Sequence, residues 1–124
     1  MASVVLSVGS NCGCENVRVA CEWLEKMLDS PVLSGLYQTP AVNGGIRDYV
    51  NAVVSGLTDM TSDSLNACLK EYELLCGRDE SCRRSGIVPV DIDIVIFDGK
   101  VIREWDFRQT FFTIGYSELF SPVV

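Results

Sequence analysis

The 124-residue chain contains no histidine, which removes the general base that Ser-His and Cys-His nucleophile mechanisms require. It has no apolar run long enough for a membrane helix, and no basic N-terminal region followed by an apolar core. Positive charge is scarce: 10 Lys and Arg stand against 17 Asp and Glu, a net charge of −7. That balance argues against binding nucleic acid or an anionic membrane through a basic surface. An anionic small molecule would need bound cations or a local group of arginines. Cys12-Gly13-Cys14 has no companion cysteine pair to complete a structural zinc site. Without a secretion signal the six cysteines read as thiols. The length suits one modest core, so the expectation is a single domain over 1–124 with a cytoplasmic location.

The most informative stretch that is present runs from Gly86 to Gly99. Val90, Ile92, Ile94 and Ile96 alternate with Asp91, Asp93, Val95 and Phe97, the period of a half-buried strand. Pro89 suits the opening of such a strand, and Asp98-Gly99 suits a tight hairpin. Asp91 and Asp93 then share the face away from the apolar residues, about 6–7 Å apart along the strand. Two carboxylates at that spacing can converge on divalent cations, an arrangement used in phosphoryl transfer. A solvated strand face carrying two charges is the alternative.

The rest of the chain supplies the frame. Val4 to Val8 reads as a strand ended by the turn Gly9-Ser10-Asn11. Val17, Cys21, Leu24 and Leu28 fall at helical spacing, and Pro31 marks the end of that helix. Val32 to Tyr37 reads as a strand stopped at Thr39-Pro40, and Asn43-Gly44-Gly45 as a loop. Tyr49 to Leu57 reads as a strand with Val50, Ala52 and Val54 on one face and Tyr49, Asn51 and Val53 on the other. Thr61 or Ser62 can cap a helix with Leu65, Leu69, Tyr72 and Cys76 on its stripe and Gly77 at its end. A polar loop from Arg78 to Ser85 follows, then the Asp-x-Asp strand and a further strand over Lys100 to Arg103. The aromatic tail from Phe107 to Ile114 is expected to be extended. The order β-α-β-β-α-β predicts an α+β, ferredoxin-like antiparallel sheet with the helices on one face and a C-terminal hairpin extension.

Five pieces in register resemble the 6-hydroxymethyl-7,8-dihydropterin pyrophosphokinase family of the folate pathway. They are Ser7-Val-Gly-Ser-Asn11, Tyr37-Gln-Thr-Pro40, Asp48-Tyr-Val-Asn-Ala-Val-Val54, Glu73-x-x-x-Gly77-Arg78 and Val90-Asp-Ile-Asp-Ile94. The resemblance implies pyrophosphoryl transfer from ATP to the pterin hydroxymethyl group, with release of AMP. It implies two Mg2+ ions held by Asp91 and Asp93, with Arg78 joining them as a catalytic group. Thr39, Pro40, Val42, Tyr49 and Asn51 match the pterin pocket, and Phe111 stands where the family places a stacking phenylalanine. Glu73 and Arg78 match positions near ATP, and Arg83 and Arg84 are the arginines able to take over phosphate contacts. The implied partners are a pterin and ATP, without nucleic acid or membrane; the oligomeric state is left open. Ser85 and Val88 depart from the family, standing where it has an aromatic and an arginine, and its Pro-His…Arg segment is missing. The alternatives are an impaired relative that binds a pterin or similar heterocycle without transfer, or an interaction protein that keeps only the fold.

Overall fold

The computed structural model describes residues 1–42, 45 and 47–120. Asn43 and Gly44 of the expected loop lie outside the described residues. β1 (Ala2–Ser10) runs antiparallel between β4 (Tyr49–Thr58) and β5 (Asp91–Phe97). β2 (Asp29–Leu33) and β3 (Tyr37–Thr39) share the other side of β4, and β6 (Lys100–Val101) pairs the end of β5. α1 (Cys14–Met27) and α2 (Ser62–Leu75) cover one face, burying Val17, Leu24, Leu65 and Leu69 against Leu6, Val8, Ala52, Val54 and Ile92. This is the expected α+β, ferredoxin-like order. Thr61 is the cap of α2, its hydroxyl accepting from the Ser64 N–H at 3.2 Å, and Gly77 turns the chain away at φ 92°.

Five local expectations give way to tertiary context. The aromatic tail is helical, as α4 (Glu104–Phe107) and α5 (Thr110–Phe120). Its aromatic content suggested a strand, yet Phe112, Tyr116 and Phe120 recur at four-residue spacing, with ring centroids 5.3 and 4.8 Å apart. Phe112 packs with Val5, Val53, Val95 and Ile96 on the sheet face opposite α1 and α2, making a second, smaller core. Gly115 permits the approach, since a Cβ there would lie 2.6 Å from Val53 Cγ2 and 2.9 Å from the Tyr37 hydroxyl.

The strand expected over Val32 to Tyr37 is two strands, with β2 beginning at Asp29 and holding Pro31 on the sheet edge. At the break, the Ser34 hydroxyl accepts from Val53 N–H at 2.8 Å, taking a backbone partner's place in the ladder. The expected polar loop contains α3 (Glu80–Ser85), capped by Asp79 and ended by Gly86 at φ 74°. The strict alternation of β5 breaks at Val95: Val5 pairs with Ile96 and Leu6 with Ile94, so Val95 is an extra residue. Val95 and Ile96 therefore both join the second core, while Phe97 returns to the first. The strand expected over Lys100 to Arg103 stops at Val101, after a hairpin in which Asp98 and Gly99 both have positive φ.

Candidate functional site

The register of the sheet creates the site. Asp91 pairs with Gly9, and Gly9 pairs with Asn51, so these three residues form one row across β5, β1 and β4. Asn51 and Asp91 are thus two strand spacings apart, about 10 Å, and the position between them carries no side chain. A Cβ at Gly9 would sit 3.2 Å from Asn51 Oδ1 and 3.7 Å from the Tyr49 ring. The result is a cavity of about 240 Å³ on the face away from α1 and α2. Thr39, Pro40, Val42, Tyr49, Asn51 and Phe111 line it, together with Asp91 and Asp93.

The β4 side is rigidly made. Asn51 and Thr39 are buried, and Asn51 Nδ2 donates to Thr39 Oγ1 at 2.7 Å, leaving Oδ1 turned toward Gly9. The Tyr37 hydroxyl donates to Phe111 O at 2.6 Å, fixing the start of α5 beside β3. Burial raises the Tyr49 phenol above its ordinary range, and the charge of Asp91 adds to the effect.

The β5 side is held by side chains. Among the described residues this strand has no neighbour beyond it from Asp91 to Ile94, so its outward backbone groups need partners. α2 and the residue after Gly77 supply them. Glu73, buried, accepts from Ile92 N–H at 2.9 Å; Lys70 Nζ donates to Ile92 O at 3.0 Å. The same groups reach the aspartates: Lys70 Nζ lies 3.0 Å from Asp93 Oδ1, and Arg78 Nη1 lies 2.7 Å from Asp91 Oδ1. Glu73 joins both cations at 2.8 Å. Burial pushes the Asp93 carboxyl up to about 6, reinforced by the charge of Asp91. Burial acts on Asp91 in the same direction, but the Arg78 hydrogen bond and the charges of Arg78 and Lys70 outweigh it and hold Asp91 below the ordinary range.

The sequence-predicted residues therefore divide. The six pterin-pocket residues and both aspartates meet at one cavity. Arg78 and Glu73 stand behind β5, bonded to the aspartate network, and do not line the cavity. Arg83 and Arg84 are exposed on α3, also away from its lining. Sequence reasoning missed Gly9, Lys70, Arg103, Trp105 and Asp106. Trp105 and Phe111 form an aromatic pair with centroids 6.0 Å apart at the cavity. Arg103 Nε donates to Asp106 Oδ2 at 3.0 Å, and its Nη1 lies 3.9 Å from Asp93 Oδ1. The one available signal was the charge and aromatic content of Arg103-Glu104-Trp105-Asp106 directly after the hairpin.

Two hard carboxylate donors at a cavity fit Mg2+, which is commonly held by one or two carboxylates completed by substrate phosphates. Among the described residues no group of three or more His, Cys, Asp or Glu could hold a metal unaided. No helix among the described residues is long and apolar enough to cross a membrane.

The family model described as 7,8-dihydro-6-hydroxymethylpterin-pyrophosphokinase matches residues 5–120. The folate synthesis bifunctional protein of Arabidopsis thaliana is 33% identical over 101 residues, covering 76% of this chain. Those residues are 20% of that relative, so the chain spans about a fifth of its length. With the model match running from β1 to the end of α5, the chain belongs to the 7,8-dihydro-6-hydroxymethylpterin-pyrophosphokinase family.

Proposed function

We propose that the chain transfers the pyrophosphoryl group of ATP to the hydroxymethyl oxygen of 6-hydroxymethyl-7,8-dihydropterin and releases AMP. The bond formed joins that oxygen to the β-phosphorus; the bond broken joins the β-phosphorus to the oxygen bridging it to AMP, which leaves with the bonding electron pair, and the hydroxyl proton passes to water. One observation carries the reading: a single cavity joins an amide and aromatic wall, Asn51, Tyr49 and Phe111, to the carboxylates of Asp91 and Asp93. Asn51 Oδ1 accepts from the N–H edge of the heterocycle, while Tyr49 and Phe111 flank its plane. Thr39 holds the Asn51 amide in the orientation this needs, and Pro40 and Val42 close the apolar rim.

Asp91 and Asp93 would hold Mg2+. Bound there, the metal would neutralise charge on the transferring phosphates and orient them. Glu73, Arg78, Arg83 and Arg84 complete the ATP side of the proposal. Arg78 and Glu73 fix Asp91, and Arg83 and Arg84 offer positive charge from exposed α3.

A second reading, a pterin-binding module without transfer, is favoured by one observation. Lys70 and Arg78 already bond the two aspartates, and Val88 stands where the family has an arginine. Calorimetric titration with 6-hydroxymethylpterin, then with a non-hydrolysable ATP analogue and Mg2+, separates the readings. Binding of both, with AMP formed when ATP replaces the analogue, supports the transferase. Pterin binding alone supports the module, and binding of neither removes both.

A further inference from the structure

The proposed transfer needs a cation inside the cavity to meet phosphate oxygens, and those assigned from sequence are not among its lining residues. Lys70 and Arg78 approach from behind β5, where they already bond Glu73, the aspartates and strand carbonyls. Among the described residues, Arg103 is the cation that lines the cavity. The extra residue in β5 puts it there. Val95 O accepts from both Ile102 N–H, at 2.9 Å, and Arg103 N–H, at 3.4 Å, so the chain leaving β6 is drawn back over Asp93.

Asp106 then fixes the direction of the guanidinium. It is buried and accepts from Arg103 Nε at 3.0 Å. Nη1, at 3.9 Å from Asp93, is beyond hydrogen-bond distance. Among the described residues the outer fork of Arg103 makes no hydrogen bond; it stands half-exposed in a long ion pair with Asp93, beside the two carboxylates that would hold Mg2+. A planar fork with free N–H groups suits two phosphate oxygens better than a point charge does.

We propose that Arg103 is the phosphate-contacting residue of this site, taking a polyphosphate chain, and that Asp106 is its positioning residue. The proposal rests on the transferase reading for its physiological substrate, but its phosphate chemistry can be tested apart from the pterin. The probe is magnesium tripolyphosphate, titrated calorimetrically into the wild type, Arg103→Gln, Arg103→Lys, Asp106→Asn and the Asp106→Asn/Arg103→Gln pair. 6-Hydroxymethylpterin is titrated in parallel, and thermal melts check that each variant folds. Arg103→Gln should weaken tripolyphosphate about ten- to a hundredfold, the range for hydrogen bonds to charged groups. Arg103→Lys should recover part of the loss, and pterin affinity should stay within about twofold. If Asp106 acts through Arg103, the pair should be no weaker than Arg103→Gln alone.

Arg103→Gln binding as tightly as the wild type, or losing pterin and tripolyphosphate equally, would overturn the proposal, as would a wild type that ignores the probe. Additive losses in the pair would overturn the positioning role of Asp106. A wild type that binds tripolyphosphate through Arg103 but not the pterin supports this inference and removes the pterin reading.

Discussion

On the β4 side of the cavity, Asn51 and Thr39 are buried and bonded to each other within paired strands. On the β5 side, Asp91 and Asp93 depend on lysine and arginine side chains arriving from α2 and from the turn after it. The contrast follows from position in the sheet. β4 has neighbours on both sides, so its ladder fixes the backbone and the side chains inherit that precision. β5 is an edge over Asp91 to Ile94, so charged side chains close it, and the same charges set the electrostatics of the site. On the proposed function, recognition of a planar heterocycle would be built into the fold, whereas recognition of phosphate would rest on a network of ionic contacts.

The largest expected effect comes from breaking that network at its centre. Glu73→Ala strands Ile92 N–H and removes the shared partner of Lys70 and Arg78. The stranded N–H and the lost hydrogen bonds to Glu73 together cost about 2–4 kcal/mol, to be read from denaturant unfolding. A fully buried pair would cost more, but Lys70 and Arg78 are partly exposed and keep Asp93 and Asp91 as partners. The unfolding loss should be accompanied by loss of Mg2+-dependent phosphate binding.

The opposite wall is best attacked through Gly115. A methyl group there collides with Val53 and with the Tyr37 hydroxyl that holds Phe111. Gly115→Ala should destabilise by about 1–3 kcal/mol, the usual cost of overpacking, and should weaken pterin binding more than phosphate binding. Equal weakening of both would merge the two walls into one unit.

How much of this was legible in the sequence depended on how local the cause was. The alternation around Asp91 and Asp93, the stripe of α1, Leu65 and Leu69 of α2 and the Thr61 cap are local, and each lies where its pattern indicates. Cys76, expected on the buried stripe, is instead exposed at the end of α2, where the helix has left the sheet. The bulge at Val95 was invisible because Ile94, Val95 and Ile96 are all apolar and β-branched, so either register looks satisfied. That concealed the placement of Arg103, which depends on the Val95 carbonyl. α3 is too short to show a period, although Asp79 and Gly86 are recognisable start and stop signals. The tail misled because aromatic residues favour strands, while the second sheet face, visible only once folded, selects the helical spacing of Phe112 and Tyr116. Gly9 read as a turn residue because the row that makes it the floor of the cavity joins three separated strands.

A smaller effect sharpens the comparison through pH. Burial raises the Tyr37 phenol from an ordinary 10.0 to about 12, against a lowering backbone hydrogen bond from the α5 side. A raised pKa gives stability that is fully present below the unfolded value and is lost as pH climbs through the folded one. Stability of the wild type should therefore fall between about pH 10 and 12. Tyr37→Phe should be less stable at neutral pH by about 1 kcal/mol, the value of one hydrogen bond, and should show a shallower alkaline decline. An unchanged alkaline slope in that variant would remove Tyr37 as the source.

The most direct test of the division between the walls is pterin affinity, measured by calorimetry without nucleotide or Mg2+, in three proteins. These are the wild type, Asn51→Ala, and the pair Asp91→Asn with Asp93→Asn. The pair keeps hydrogen-bond acceptors for Lys70 and Arg78 while removing the charge, so it should bind 6-hydroxymethylpterin within about threefold of the wild type. Asn51→Ala deletes the amide proposed to read the heterocycle and should lose about tenfold or more. A double aspartate variant that loses pterin as severely as Asn51→Ala would contradict the account, because the two walls would then form a single recognition surface.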